Sequence, residues 1–233
     1  MAVISHQHGY LFLQAPKAAS TAIGDLLRER HDGIRCPRSV IRDEEGSVLV
    51  RAKHATLSEL IDGGVLDGDV APGLFKFVSV RNPFDALVSM WTRAGERVRE
   101  AEDDPDHWLN RTEGLLDARR RMSELDFTEW IESRFGNRKS ATLYLEYAAD
   151  MDAIVRFERL DEELALALGR VGVTHDQPVH KVNPTRGRSA DYRSYYTPEL
   201  RTIVEAAYAE EMDVFGYTFD GLVSQEPVDL TSR

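Results

Sequence analysis

The chain is almost without cysteine: Cys36 stands alone among 233 residues. No internal disulfide can form, and no Cys/His spacing resembles a zinc site, so a buried or idle thiol and no bound metal are expected. Long apolar runs are missing too. The stretches at 10–13 and 78–80 are strand-sized, far below the roughly 18 residues a membrane span needs. The opening MAVISHQHGY has no basic start followed by an apolar stretch, so no secretory signal and a cytoplasmic residence are expected. Positive charge is in deficit, with 40 acidic against 29 basic residues and a net charge of −11. That balance argues against a nucleic-acid surface and disfavours a polyanionic partner such as a heparin-like chain. Any anion site is therefore expected to be local.

What remains is an ordinary globular composition, 42% hydrophobic and 30% charged, without repeats or low-complexity tracts. One domain over 1–233 is expected, with a charged helical excursion at about 91–126. Short apolar runs alternate with helical spacing. YLFL at 10–13 precedes a helix that starts at Ser20, and LFKFVSV precedes RNP and a helix over 85–93. A third strand at 153–157 closes at Glu158 before a helix over 161–168. A helix over 127–135 and a terminal one over 198–215, opened by Thr197-Pro198, complete the pattern. Strand–loop–helix units of this kind predict an α/β fold, a central parallel sheet flanked by helices in three α/β/α layers. Ligands of such sheets sit at the carboxyl ends of the strands, where QAPKAAST, RNP and FER all fall.

QAPKAASTAI sets Lys17, Ser20 and Thr21 between a buried strand and a helix start. Small residues at 18 and 19 let backbone N–H groups approach an anion, and Lys17 adds a full charge to the helix dipole. The same residues would also make an ordinary turn capped by Ser20 or Thr21. In FVSVRNPFDALVSMW, Arg81 lies just past a buried strand and Ser89 two helical turns on, a pair suited to gripping a second phosphate. A nucleotide kinase or triphosphatase would need GxxxxGK followed by Ser or Thr, and a metal-binding Asp at the next strand end. Neither pattern occurs, and Arg81 stands where that carboxylate would be.

PKAAST after one buried strand and RNPFDALVS after the next resemble the two donor-binding signatures of the sulfotransferases that use 3′-phosphoadenosine 5′-phosphosulfate (PAPS). The likeness is to the carbohydrate-modifying and bacterial branch, and it continues through VRFERL and SADYRSYYTPEL to VFGYTF. It implies a P-loop-NTPase-like architecture and a metal-free transfer of a sulfuryl group to a hydroxyl acceptor. On it, Pro16, Lys17, Ala18, Ala19, Ser20, Thr21 and Ala22 correspond to the 5′-phosphosulfate loop, and Arg81 and Ser89 to the 3′-phosphate clamp. Ala18-Ala19 departs from the family's frequent Thr-Gly, keeping small size but losing a hydroxyl or the freedom of glycine.

His54, in RAKHATLSEL, lies between the two motifs. Histidine is a competent base near neutral pH, and the segment also resembles the catalytic-base region of glycan-type members. His54 and Lys17 are thus the expected catalytic pair, although a lone His beside Lys53 is also an ordinary surface residue, and Glu96 and His107 are other candidate bases. The loop NPTRGRSADYRSYY resembles the family's late segment over the nucleotide and assigns Arg186, Gly187 and Arg188 to the donor, with Tyr192 a weaker candidate. Glu158 is read as a structural carboxylate beside an arginine. The acceptor would meet the excursion, where Trp91, Trp108 and Phe127 offer aromatic walls, and the acidic balance favours a small or neutral hydroxyl compound. A nucleotide kinase and a non-catalytic nucleotide-binding module are the alternatives. Oligomeric state stays open, and neither nucleic acid nor membrane is an expected partner.

Overall fold

The computed structural model describes residues 2–111, 113–136, 140–180 and 188–228. At its centre is a five-stranded sheet in which β1 (Ala2–Ser5), β2 (Tyr10–Leu13), β3 (Ile34–Cys36), β6 (Phe75–Val80) and β7 (Ala153–Arg156) lie in the order β3-β1-β2-β6-β7. The three strands expected from the sequence are the parallel ones: Leu13 pairs with Val78, and Val80 with Arg156. β1 and β3 add an antiparallel margin, Val3 pairing with both Phe12 and Arg35. The sheet is therefore mixed, parallel where the strands feed the site. A small hairpin, β4 (Ile41–Arg42) with β5 (Val48–Val50), leads back toward it.

Both faces are covered. Tyr10, Phe12, Phe77 and Val155 pack with Ile23 and Leu27 of α1 (Ser20–Arg30) and Leu164 and Leu168 of α7 (Leu160–Gly169). The alternate residues Leu11, Leu13, Val78 and Ile154 pack on the other side. There they meet α2 (Leu57–Asp62), α3 (Pro83–Asp103), α5 (Phe127–Phe135), α6 (Leu145–Ala148), α8 (Pro198–Ala207) and α9 (Ala209–Phe215). Apolar residues on both faces of each parallel strand are what a sheet with helices on two sides requires, and the result is the three-layer α/β/α arrangement. The last two strands, β8 (Tyr217–Thr218) and β9 (Gly221–Leu222), form a terminal hairpin.

Helix starts follow local chemistry. Asn82 caps α3 by accepting from the Phe84 N–H at 3.0 Å, with Pro83 in its first turn. Asp126 and Glu129 cap α5 reciprocally. Two boundaries differ from expectation by more than a residue or two. α3 does not stop near Arg93 but runs to Asp103, so the excursion begins as the distal half of this helix and folds back through α4 (Leu115–Glu124). The terminal helix expected over 198–215 breaks at Tyr208, whose φ of −114° leaves the helical range and whose buried ring packs on Phe135. Among the described residues no helix is long and apolar enough to cross a membrane.

Candidate functional site

Because β2, β6 and β7 run parallel in close register, the loops after Leu13, Val80 and Arg156 emerge together and wall a cleft of about 1220 Å³. The first loop is fixed from within. The Gln14 amide donates to the Ser20 carbonyl at 2.6 Å, and the Ser20 hydroxyl donates back to the Ala15 carbonyl at 2.6 Å. Gly24 makes room for this: a Cβ there would lie 2.1 Å from the Gln14 amide nitrogen.

Lys17 and Ala19 are left-handed, with φ of 64° and 56°. That conformation costs an L-residue about 1–2 kcal/mol, and retained strain of this kind collects at ligand clamps. Alternating handedness turns successive backbone N–H groups toward one side, the geometry of an anion nest. The expected capping of α1 by Ser20 or Thr21 does not occur. Ala19 is the N-cap, no side chain caps the helix, and its first turn carries no acidic residue, so the helix N-terminus opens on the cleft uncapped. Pro16, Lys17, Ala19, Ser20, Thr21 and Ala22 all line the cleft, whereas the Ala18 methyl is fully buried in the core and contributes backbone only.

Arg81 joins the second loop to the first. Its Nη1 donates to the Lys17 carbonyl at 3.2 Å, its Nε and Nη2 donate to one oxygen of Asp85 at 2.8 and 2.5 Å, and its guanidinium lies 4.1 Å from the Phe157 ring centre. The other Asp85 oxygen pairs with Arg188. Ser89, one turn beyond Asp85, is buried on the cleft wall with Arg81 and Arg188. Two expected donor residues, Arg186 and Gly187, lie outside the described residues. Tyr192 is structural: its hydroxyl donates to the Phe219 carbonyl at 2.6 Å. Glu158 holds the Asn82 N–H at 2.9 Å and the Tyr217 hydroxyl at 2.7 Å, not the arginine expected, although it too borders the cleft.

His54 also lines the cleft, beside the start of the first loop, with a left-handed φ of 61°. Its Nδ1 is 2.7 Å from the Gln14 carbonyl, and its own carbonyl accepts from the Tyr147 hydroxyl at 3.1 Å. A carbonyl only accepts, so Nδ1 carries the proton and Nε2 keeps its lone pair. Burial, reinforced by nearby cations such as Lys53, pushes the ring down to about 4 against the pull of the Gln14 hydrogen bond, and the imidazole is neutral at pH 7. Of the other candidate bases, His107 borders the cleft, and Glu96 is turned to Arg93 at 2.8 Å.

The structure adds cations that the sequence reading passed over. Lys53, Arg93 and Arg97 line the cleft with Lys17. Burial first, then the charges of Arg97, Arg93, Arg81 and Lys53, push Lys17 down to about 7. Cations therefore gather around Lys17 on an acidic protein, although Glu100, Glu158 and Asp161 also line the cleft. The signal was present in the spacing: Asp85, Ser89, Arg93 and Arg97 recur every four residues and so share one face of α3.

Of the three aromatic walls expected, Trp108 lines the cleft. Trp91 donates its indole N–H to the Leu125 carbonyl at 3.0 Å and packs edge-on against Phe127 and Tyr195; both Trp91 and Phe127 belong to the core.

No curated protein and no solved structure matches the chain. A sequence model of the sulfotransferase family matches residues 1–218. That span includes both strand-end loops, His54, the Arg81–Asp85–Arg188 cluster and the terminal hairpin as far as Thr218, and the chain belongs to the sulfotransferase family, transferases that move a sulfuryl group.

Proposed function

We propose that the chain transfers a sulfuryl group from PAPS to a hydroxyl acceptor, and the carrying observation is Lys17. Lys17 sits beside an uncapped helix N-terminus, its proton affinity pushed down first by burial and then by the charges of Arg97, Arg93, Arg81 and Lys53, and an anionic ligand is what would relieve both the lysine and the helix end. The donor set fits the nucleotide in chemistry as well as number. Lys17 and the first-turn N–H groups of α1 would hold the 5′-phosphosulfate, while Arg81 and Ser89, with Arg188 beside them, would hold the 3′-phosphate; Arg186 and Gly187 are given to the donor by the family resemblance alone.

When bound, PAPS supplies an activated sulfuryl group with a phosphate leaving group. Lys17 and the loop N–H groups stabilise charge gathering on the leaving oxygen. His54 Nε2 takes the hydroxyl proton, its tautomer fixed by Gln14. Arg81 keeps the two phosphate-binding loops in register through the Lys17 carbonyl. The test is transfer of label from ³⁵S-PAPS to a hydroxyl panel, with formation of 3′,5′-adenosine diphosphate (PAP). Labelled product that vanishes in Lys17→Ala supports the reading, and donor turnover unaffected by Lys17→Ala contradicts it.

A further inference from the structure

A second, smaller cavity of about 190 Å³ opens beside the cleft and shares Lys17, Met90, Arg97 and Trp108 with it. Its floor is Trp130 and Leu109, both buried, and its rim includes Trp108 and Met122, two of the large apolar side chains this protein leaves exposed. Three arginines, Arg97, Arg119 and Arg134, converge on it from α3, α4 and α5. Their neighbours are neutralised: Arg93 pairs with Glu96 and Glu100, and Arg120 with Glu102 and Asp117. Among the described residues Arg97, Arg119 and Arg134 form no ion pair with a carboxylate; Arg97 lies 5.9 Å from the Trp108 ring centre and Arg134 5.5 Å from that of Trp130. In a chain with 40 acidic residues, three such arginines around one apolar hollow are a built feature.

We propose that this cavity is the acceptor subsite and that it takes a ring-sized hydroxyl compound carrying an acidic group, the ring against Trp108 and Trp130 and the anion between Arg119 and Arg134. The proposal rests on the donor reading above; of the small or neutral acceptor that net charge favours, it keeps the small and replaces the neutral. The volume suits a single ring, since a cavity of about 150 Å³ holds benzene, and it suits an extended polyanionic chain poorly. Its junction with the cleft at Lys17 sets the acceptor hydroxyl beside the transfer point. There the acceptor oxygen forms a bond to sulfur, the sulfur–oxygen bond to the donor phosphate breaks with its electron pair staying on phosphate, and the hydroxyl proton passes to His54.

The experiment is calorimetric titration of the PAP-saturated protein with 4-hydroxybenzoate, 4-hydroxyphenylacetate and glucuronate, each against its methyl ester, and with a heparin tetrasaccharide. At least one acid is expected to bind tenfold or more tightly than its ester. The double variant Arg119→Gln/Arg134→Gln should remove that preference and leave PAP affinity unchanged, because neither residue lines the donor cleft. Acid and ester binding alike, no binding by any probe, an unaffected double variant, or the tetrasaccharide binding most tightly would each overturn the proposal. If the acids bind with this arginine dependence but PAP does not bind, the donor reading fails and the anion subsite stands.

Discussion

His54 Nδ1 lies 2.7 Å from the carbonyl oxygen of Gln14, and the amide of the same Gln14 donates to Ser20 at the start of α1. One side chain and its backbone therefore position both the phosphate loop and the proposed base. Replacing His54 with Ala should lower kcat by about 10²–10⁴-fold, the usual reach of a positioned base, while PAP affinity stays within about twofold. Unchanged kcat in this variant would reassign the base, with His107 next in line.

The histidine also sets an acid limb. With its proton affinity pushed down to about 4, His54 remains neutral until pH falls toward that value. The kcat/KM for the donor should show no decline from pH 7 to about 5, where an unperturbed histidine would bring one centred near 6.5. The pH–rate profile of the wild-type enzyme checks this directly.

Lys17 gives the opposite limb. Its folded value, about 7, lies below the usual 10.5, so between those values the folded protein holds a neutral lysine and the unfolded chain a charged one. Stability from this group therefore rises with pH across that window, and is lost as pH falls toward 7. An anion reverses the preference. PAP binding at pH 8 should take up most of a proton, read as a dependence of the calorimetric heat on buffer ionisation enthalpy. Lys17→Met should abolish the uptake.

Asp85 holds Arg81 and Arg188 in one partly buried cluster, its carboxylate only 12% exposed. Asp85→Asn should cost about 3 kcal/mol by leaving two guanidinium groups without their counter-charge, a fall in Tm of roughly 6–12 °C for a chain of this size. The 3′-phosphate would then meet less competition, so PAP should stabilise Asp85→Asn more than the wild type. An equal or smaller PAP shift, measured by differential scanning fluorimetry, counts against Arg81 and Arg188 as the phosphate clamp.

The parallel strands and the loops they feed were legible in the sequence, because each is a short apolar run ended by punctuation: QAP, RNP or FER. β1 was not, since its four residues AVIS carry no alternation and acquire meaning only by pairing with β2 and β3. The break at Tyr208 depends on a ring seated against Phe135, a contact between distant segments. Lys17, His54, Arg81 and Ser89 were found because motif and chemistry coincide locally. Arg97 had a local signal in its four-residue spacing from Asp85, Ser89 and Arg93, whereas Arg119 had none, because only the folding of α4 against α3 brings it to the same cavity.

The central claim, a donor held between the Lys17 loop and the Arg81 clamp, is tested most directly by thermal shift with PAP against ATP plus Mg²⁺ on the wild type and Lys17→Ala. Binding confined to the folded state raises Tm with ligand concentration, about 2.7 kcal/mol of stabilisation at a hundredfold excess over Kd. PAP alone should stabilise the wild type, and Lys17→Ala should lose most of that shift. Stabilisation by ATP plus Mg²⁺ alone, or by neither, would contradict the account.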